Sequence, residues 1–147
     1  MIDTARPWLL AAGGLSIAAS VLHLACIVGG PSWYRFVGAG EPIARAVERG
    51  ALMPTLITLF IAGVLGVWAL YAFSAAQLLP RLPLLRTALV AISAVLLLRG
   101  LAVPLMQAWR PDLSPSFIWW TAAIVTGYGL IFANATRLAW PSLRRDF

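Results

Sequence analysis

The sequence predicts an all-α integral membrane protein: four transmembrane helices in an antiparallel bundle, with a short interfacial helix in the first loop. Three observations predict it. Of the 147 residues 61% are hydrophobic and 11% are charged, whereas a soluble domain carries roughly 25% charged residues. Mean hydropathy is +0.88. Four apolar runs, about 8–28, 52–79, 87–109 and 117–140, each reach the about 20 residues that cross a bilayer core. Barrel-type alternation is absent, so helical spans place the chain, read as one domain, in a bacterial inner membrane.

The first run follows "MIDTARP", where Pro7 suits a helix's first turn. It is too long for a signal sequence and lacks a typical charged leader, so it reads as a retained helix. The long loop after it, "GGPSWYRFVGAGEPIARAVERG", is too polar to span. Trp33, Tyr34 and Phe36 suit a headgroup-level aromatic belt. "EPIARAVERG" then reads as a short helix with Ile43, Ala46 and Val47 on one face and Arg45, Glu48 and Arg49 on the other, the pattern of a helix lying in the interface. Glu41 and Arg45 are spaced four apart, as helical ion pairs are.

The second run leads into "PRLPLLR", a turn short enough to make its neighbours antiparallel. The third run holds Arg99 near its middle and Pro104 beyond, which frees the carbonyl of Gly100. "RPDLSPS" turns the chain again, with Ser116 as the expected cap of the fourth run. Arg6, Arg81, Arg86, Arg137, Arg144 and Arg145 fall on one side; Arg35, Arg45, Arg49 and Arg110 fall on the other. Cations favour the cytoplasm, so both termini are expected there. Small residues that allow close helix approach recur on the first run (Gly13, Ser16, Ser20, with His23), the second (Thr58, Ala62, Gly66) and the fourth (Ala123, Gly127, Asn134).

Several function classes drop out. The net charge of +6 comes from arginines mostly at the ends of apolar runs, which meet anionic headgroups and not nucleic acid. One cysteine, Cys26, and one histidine, His23, make no internal disulfide and no zinc site. No metal or cofactor is expected.

The candidate site gathers around Arg99. An ionised side chain inside a span is costly and marks function by default. His23, Thr58 and Gln107 fall in the same outer half, Glu41 and Glu48 lie on the loop above, and Tyr128 lies near mid-membrane. With Trp33 and Tyr34 of the first loop as further candidates, these residues suggest an outward-facing polar cavity with Arg99 at its floor. Either Arg99 meets an external anion, such as a lipid phosphate or a carboxylate, or Glu41 or Glu48 dips inward and tethers the loop.

The layout resembles the DoxX-type and sterol-isomerase-like (EXPERA) four-helix groups in helix number alone, and the acidic residues that the latter place in the bundle have no counterpart here. The first run lacks the carboxylate of small multidrug exporters. "LMPTLITLFIAGVLG" lacks the arginine–asparagine–glutamate signature of membrane glutathione transferases. Three function classes remain. One is a protein binding an amphipathic anionic or lipid-like small molecule, with membrane lipids as partners. Another is an enzyme acting on a lipid or quinone-like substrate, with His23 as acid–base and Arg99 holding an oxyanion or phosphate. The third is a structural or accessory subunit, and homo-oligomers are compatible with any of these.

Overall fold

In a computed structural model, residues 2–144 are described, and among them every regular element is helical. Arg145 of the arginine count lies outside this range. The helices are α1 (Ile2–Gly29), α2 (Pro31–Phe36), α3 (Glu41–Glu48), α4 (Leu52–Ala75), α5 (Leu85–Leu101), α6 (Val103–Trp109) and α7 (Pro115–Ala139), followed by a 3-10 turn at Ser142–Arg144. Three of them, α1, α4 and α7, are long and apolar enough to cross a membrane.

The expected element boundaries shift in physically readable ways. The first helix starts at Ile2, so Pro7 lies inside it and not at its opening. The second ends at Ala75, because Gln77 turns left-handed at φ 62. The third expected helix is two. A break at Ala102 divides α5 from α6, and Pro104 falls in the first turn of α6, where a missing N–H costs nothing. The cap of α7 is Ser114 and not Ser116: its hydroxyl accepts the Phe117 N–H at 3.2 Å, with Pro115 next in the first turn.

Each long helix runs antiparallel to the one it packs against. Along α1, Ser20 donates to the Ala62 carbonyl of α4 at 2.8 Å, and Gly13 lies so close to α4 that a Cβ would enter the Phe73 ring. Ser16 of α1, fully buried, bonds the Tyr128 hydroxyl of α7. A small-residue seam therefore serves both neighbours of α1, as close approach in an apolar medium requires. On α4 the buried seam runs Thr58, Ala62, Leu65, Ala69, Ala72, and Gly66 has open space beside it. Nor do Ala123 and Gly127 form the contact of α7. Ala123 is exposed and Gly127 has no neighbour a Cβ would meet. The close approach of α5 to α7 is at Gly129, where a Cβ would sit 3.0 Å from Leu96, and at Gly100, where it would enter the Thr126 hydroxyl.

The main apolar core occupies the half near the termini. Ala5, Leu9 and Ala12 of α1 meet Ala72 and Ala75 of α4, Leu89 and Ile92 of α5, and Phe132 and Ala135 of α7. The loop half has two small clusters instead, one of Cys26, Tyr34 and Ala44 and one of Ile118 and Ala122. Buried hydroxyls do not strand polar atoms: Ser93 donates to Leu89 and Thr136 to Phe132, each to the carbonyl four residues back.

Loop contacts fix which ends lie together. Arg81, between α4 and α5, donates to the Leu143 carbonyl beyond α7. Arg110, between α6 and α7, donates to the Ala39 carbonyl between α2 and α3. The α5–α6 segment therefore runs from the end holding the termini to the end holding the first loop.

Gly129→Leu should destabilise the fold by about 1–3 kcal/mol, because the added side chain meets the Leu96 and Leu97 side chains of α5. Gly127→Leu should cost nothing, because the space beside it is open and leucine is the better helix former. Thermal unfolding of both variants in detergent checks this, and equal losses at the two positions would contradict the α5–α7 contact.

Candidate functional site

The first loop is a folded unit and not a slack lid. Gly30 and Pro31 start α2, which brings the Trp33 indole over Gly29, where no Cβ would fit. Trp33 stands edge-on to Phe36, ring centres 6.4 Å apart, and both rings are exposed. Tyr34 turns the other way. It is 3% exposed, and its hydroxyl donates to Thr58 at 3.0 Å while Thr58 donates to the Pro54 carbonyl at 2.8 Å. Tyr34 and Thr58 thus clamp the loop onto the start of α4 with both hydroxyl protons committed.

The two loop glutamates are committed as well. Arg35 grips Glu41 with two parallel hydrogen bonds of 2.9 Å and reaches Glu48 at 2.8 Å. Arg45 joins Glu41 at 3.0 Å across one helical turn, as the four-residue spacing predicts. The Glu41 carboxyl is held at about 2, against an ordinary 4.5, first by its hydrogen bond from Arg35 and then by that from Arg45. The Arg35 guanidinium is held protonated more firmly in return.

Arg110 is the tether between loops, a role that sequence reasoning assigned as one choice to Arg99. It pairs with Asp112 through bonds of 2.9 Å from Nε and Nη2, and its Nη2 also donates to the Ala39 carbonyl at 2.8 Å. The pair raises the Arg110 pKa and lowers that of Asp112 through their mutual hydrogen bonds. Gly38 and Gly40, at φ 74 and φ 97, make the approach possible. A Cβ at Gly38 would enter the Phe117 ring, and one at Gly40 would enter the Arg110 guanidinium. The signal was present in "GAG": paired glycines mark a backbone that turns left-handed or is closely approached.

Arg99 stands apart from all this. It lies in the last turn of α5, exposed, with the Met106 sulfur of α6 as its hydrogen-bond partner. Among the described residues no carboxylate pairs with it. Its neighbour Gly100 packs on Thr126, eleven residues from the start of α7 at Pro115 and thirteen from its end at Ala139. Arg99 is therefore at mid-height, about 17 Å from the loop end of α7 at 1.5 Å per residue. Gln107 lies further along α6, half-buried.

The remaining candidates are placed separately. His23 Nδ1 donates to the Ala19 carbonyl at 2.7 Å, which fixes the proton on Nδ1 and leaves Nε2 as an acceptor in the neutral ring. Tyr128 donates to Ser16, whose own proton goes to the Ala12 carbonyl at 2.8 Å. The structure thus joins Trp33, Tyr34, Glu41, Glu48 and Thr58 in one loop unit. It brings neither His23 nor Arg99 into bonding contact with the glutamates.

Two open clefts lie elsewhere. One, of about 570 Å³, is at the terminal end and includes Gln77, Arg81 and Leu143. The other, of about 200 Å³, is an apolar groove between α4 and α5 lined by Trp68, Tyr71 and Ile92. No group of three His, Cys, Asp or Glu residues able to hold a metal occurs among the described residues. Comparison of the chain with protein-family models, curated proteins and solved structures found no match.

A depressed carboxyl stabilises the docked loop above its unfolded value, and that contribution fades as pH falls. Protection of the amides of residues 41–48, taken relative to their intrinsic exchange rate at each pH, should therefore hold from neutral pH to about 4.5 and fall between there and about 2. Loss of protection complete above pH 5 would contradict the Arg35–Glu41 clamp.

Proposed function

We propose that the chain is a multi-pass inner-membrane protein that binds an amphipathic, anionic, lipid-like molecule against Arg99. In this reading α1, α4, α7 and the α5–α6 segment all cross, forming a four-helix antiparallel bundle. The even number of crossings puts both termini on one side, and the six-to-four arginine count favours the cytoplasm for that side. The first loop then lies outside, with α3 along the interface and Trp33 and Phe36 at headgroup level.

One observation carries the binding reading: Arg99 is exposed at mid-height and has no carboxylate partner among the described residues. An arginine at the centre of a span costs about 3 kcal/mol on insertion scales, even with snorkelling. The loop glutamates do not offset that cost, because Arg35 and Arg45 hold them. An anionic group from outside the chain does. Leu98, Leu101 and Leu105, all exposed around Arg99, suit the apolar part of such a molecule. The contact is lateral, against the α5–α6 break, in place of the outward-facing polar cavity, with Arg99 at its floor, that the sequence suggested. The enzyme reading is weaker, since His23, Arg99 and Glu41 would have to converge on one substrate atom, and they have no bonding contact with one another.

Arg99→Ala should purify folded and without the anionic amphipath that accompanies the wild type, as seen by native mass spectrometry. Arg99→Lys keeps the charge but loses the planar fork, so it should retain the molecule only weakly. A wild type that carries no ligand, with Arg99→Ala changing thermal stability alone, would overturn the proposal. Reporter fusions test the topology: one after Phe147 should report the cytoplasm and one near Gly38 the outside. The reverse pattern would overturn the orientation.

A further inference from the structure

We infer a second anion site at the opposite end, in the cleft between the α4–α5 turn and the segment after α7, which takes the phosphodiester headgroup of an anionic phospholipid. The cleft, about 570 Å³, falls within the about 300–1,000 Å³ of small-molecule sites. Its walls are chemically divided. Ile2, Leu79, Leu85 and Leu143 give it an apolar side, and Arg81 and Gln77 give it a polar one. The other polar groups in the lining are already engaged: Ser74 bonds the Pro80 carbonyl and the Leu82 N–H, and Ser142 bonds the Ala139 carbonyl. Arg81 gives one Nη2 donor to the Leu143 carbonyl, which orients the guanidinium and leaves further N–H groups available.

A second arginine directly follows the lining residue Leu85. Arg86 donates to the Trp140 carbonyl at 3.0 Å and lies 4.3 Å over the Trp140 ring. Its Nε–H is buried with no acceptor among the described residues. Both guanidiniums are thus held in place by the Trp140–Leu143 segment, and neither is neutralised by a described carboxylate. At the loop end, by contrast, three of the four arginines, Arg35, Arg45 and Arg110, pair with Glu or Asp, and Arg49 alone does not. Two oriented, uncompensated guanidiniums beside an apolar wall match a phosphodiester with acyl chains attached, because arginine's fork fits phosphate and the wall accepts hydrocarbon. Exposed Trp8 and Trp140 mark the same end as lying near a headgroup layer.

The test titrates the full-length, delipidated protein in neutral detergent with phosphatidylglycerol or phosphatidylcholine of identical chains, read by native mass spectrometry. Wild type should bind phosphatidylglycerol the more tightly. Each of Arg81→Gln and Arg86→Gln should reduce that preference about fivefold, the effect of one cation near an anionic headgroup. Gln77→Glu leaves both arginines on the Trp140–Leu143 segment and places a carboxylate in the cleft, so it too should lose the preference while the fold holds. Arg99→Ala should keep the preference, which separates this site from the one proposed for Arg99. No preference in wild type, or a preference that survives Gln77→Glu and both arginine changes, would overturn the assignment. Displacement of phosphatidylglycerol by millimolar inorganic phosphate would overturn the lipid as ligand in favour of a soluble phosphate.

Discussion

A shortage of carboxylates governs the chemistry of this chain. Eleven arginines face five acidic residues, and the three acids of the loop end are bound to arginines of that same end. Arg35 and Arg45 hold Glu41, Arg35 holds Glu48, and Arg110 holds Asp112. Pairing is local because short loops place partners two to thirteen residues apart, where little chain entropy opposes contact. What remains is positive charge that the described carboxylates do not compensate: Arg6, Arg49 and Arg137 near the helix ends, Arg81 and Arg86 held at the terminal end, and Arg99 at mid-height. In an apolar medium such charge draws anions.

The helical framework follows a different constraint. Lipid gives apolar side chains no reason to leave it, so helices associate through close packing and interhelical hydrogen bonds. Hence the seam of Ala, Gly and Ser on α1, and the bonds from Ser20 to Ala62 and from Tyr128 to Ser16. Large apolar residues such as Val28, Phe60 and Ile124 are instead exposed, the reverse of a soluble core. The terminal half, where Leu9, Leu89 and Phe132 are fully buried, is the rigid base from which α5 delivers Arg99.

Length and composition made the helices legible, and the four-residue pairing of Glu41 with Arg45 was legible for the same local reason. Four things were not. The break at Ala102 depends on how α5 ends and α6 begins, and a single proline five residues beyond Arg99 reads equally as a kink or a new first turn. Which small residues face a neighbour was misread on α7, since Gly127 and Gly129 differ only in helix rotation. The partner of Arg99 was open because sequence spacing does not reveal that Arg35 reaches Glu41 and Glu48 first. Arg110 as the tether needed the fold, since 71 residues separate it from Ala39.

The commitment of the loop glutamates is what leaves Arg99 available, and double-mutant cycles measure it directly. Glu41→Gln is combined with Arg35→Gln in one cycle and with Arg99→Gln in another, and unfolding of all variants is followed in the same detergent. Coupling should appear between Glu41 and Arg35 and be absent between Glu41 and Arg99, as expected for groups with no shared contact. Coupling of Glu41 to Arg99 as strong as that to Arg35 would show a tether between loop and span, and the external anion would then have no place.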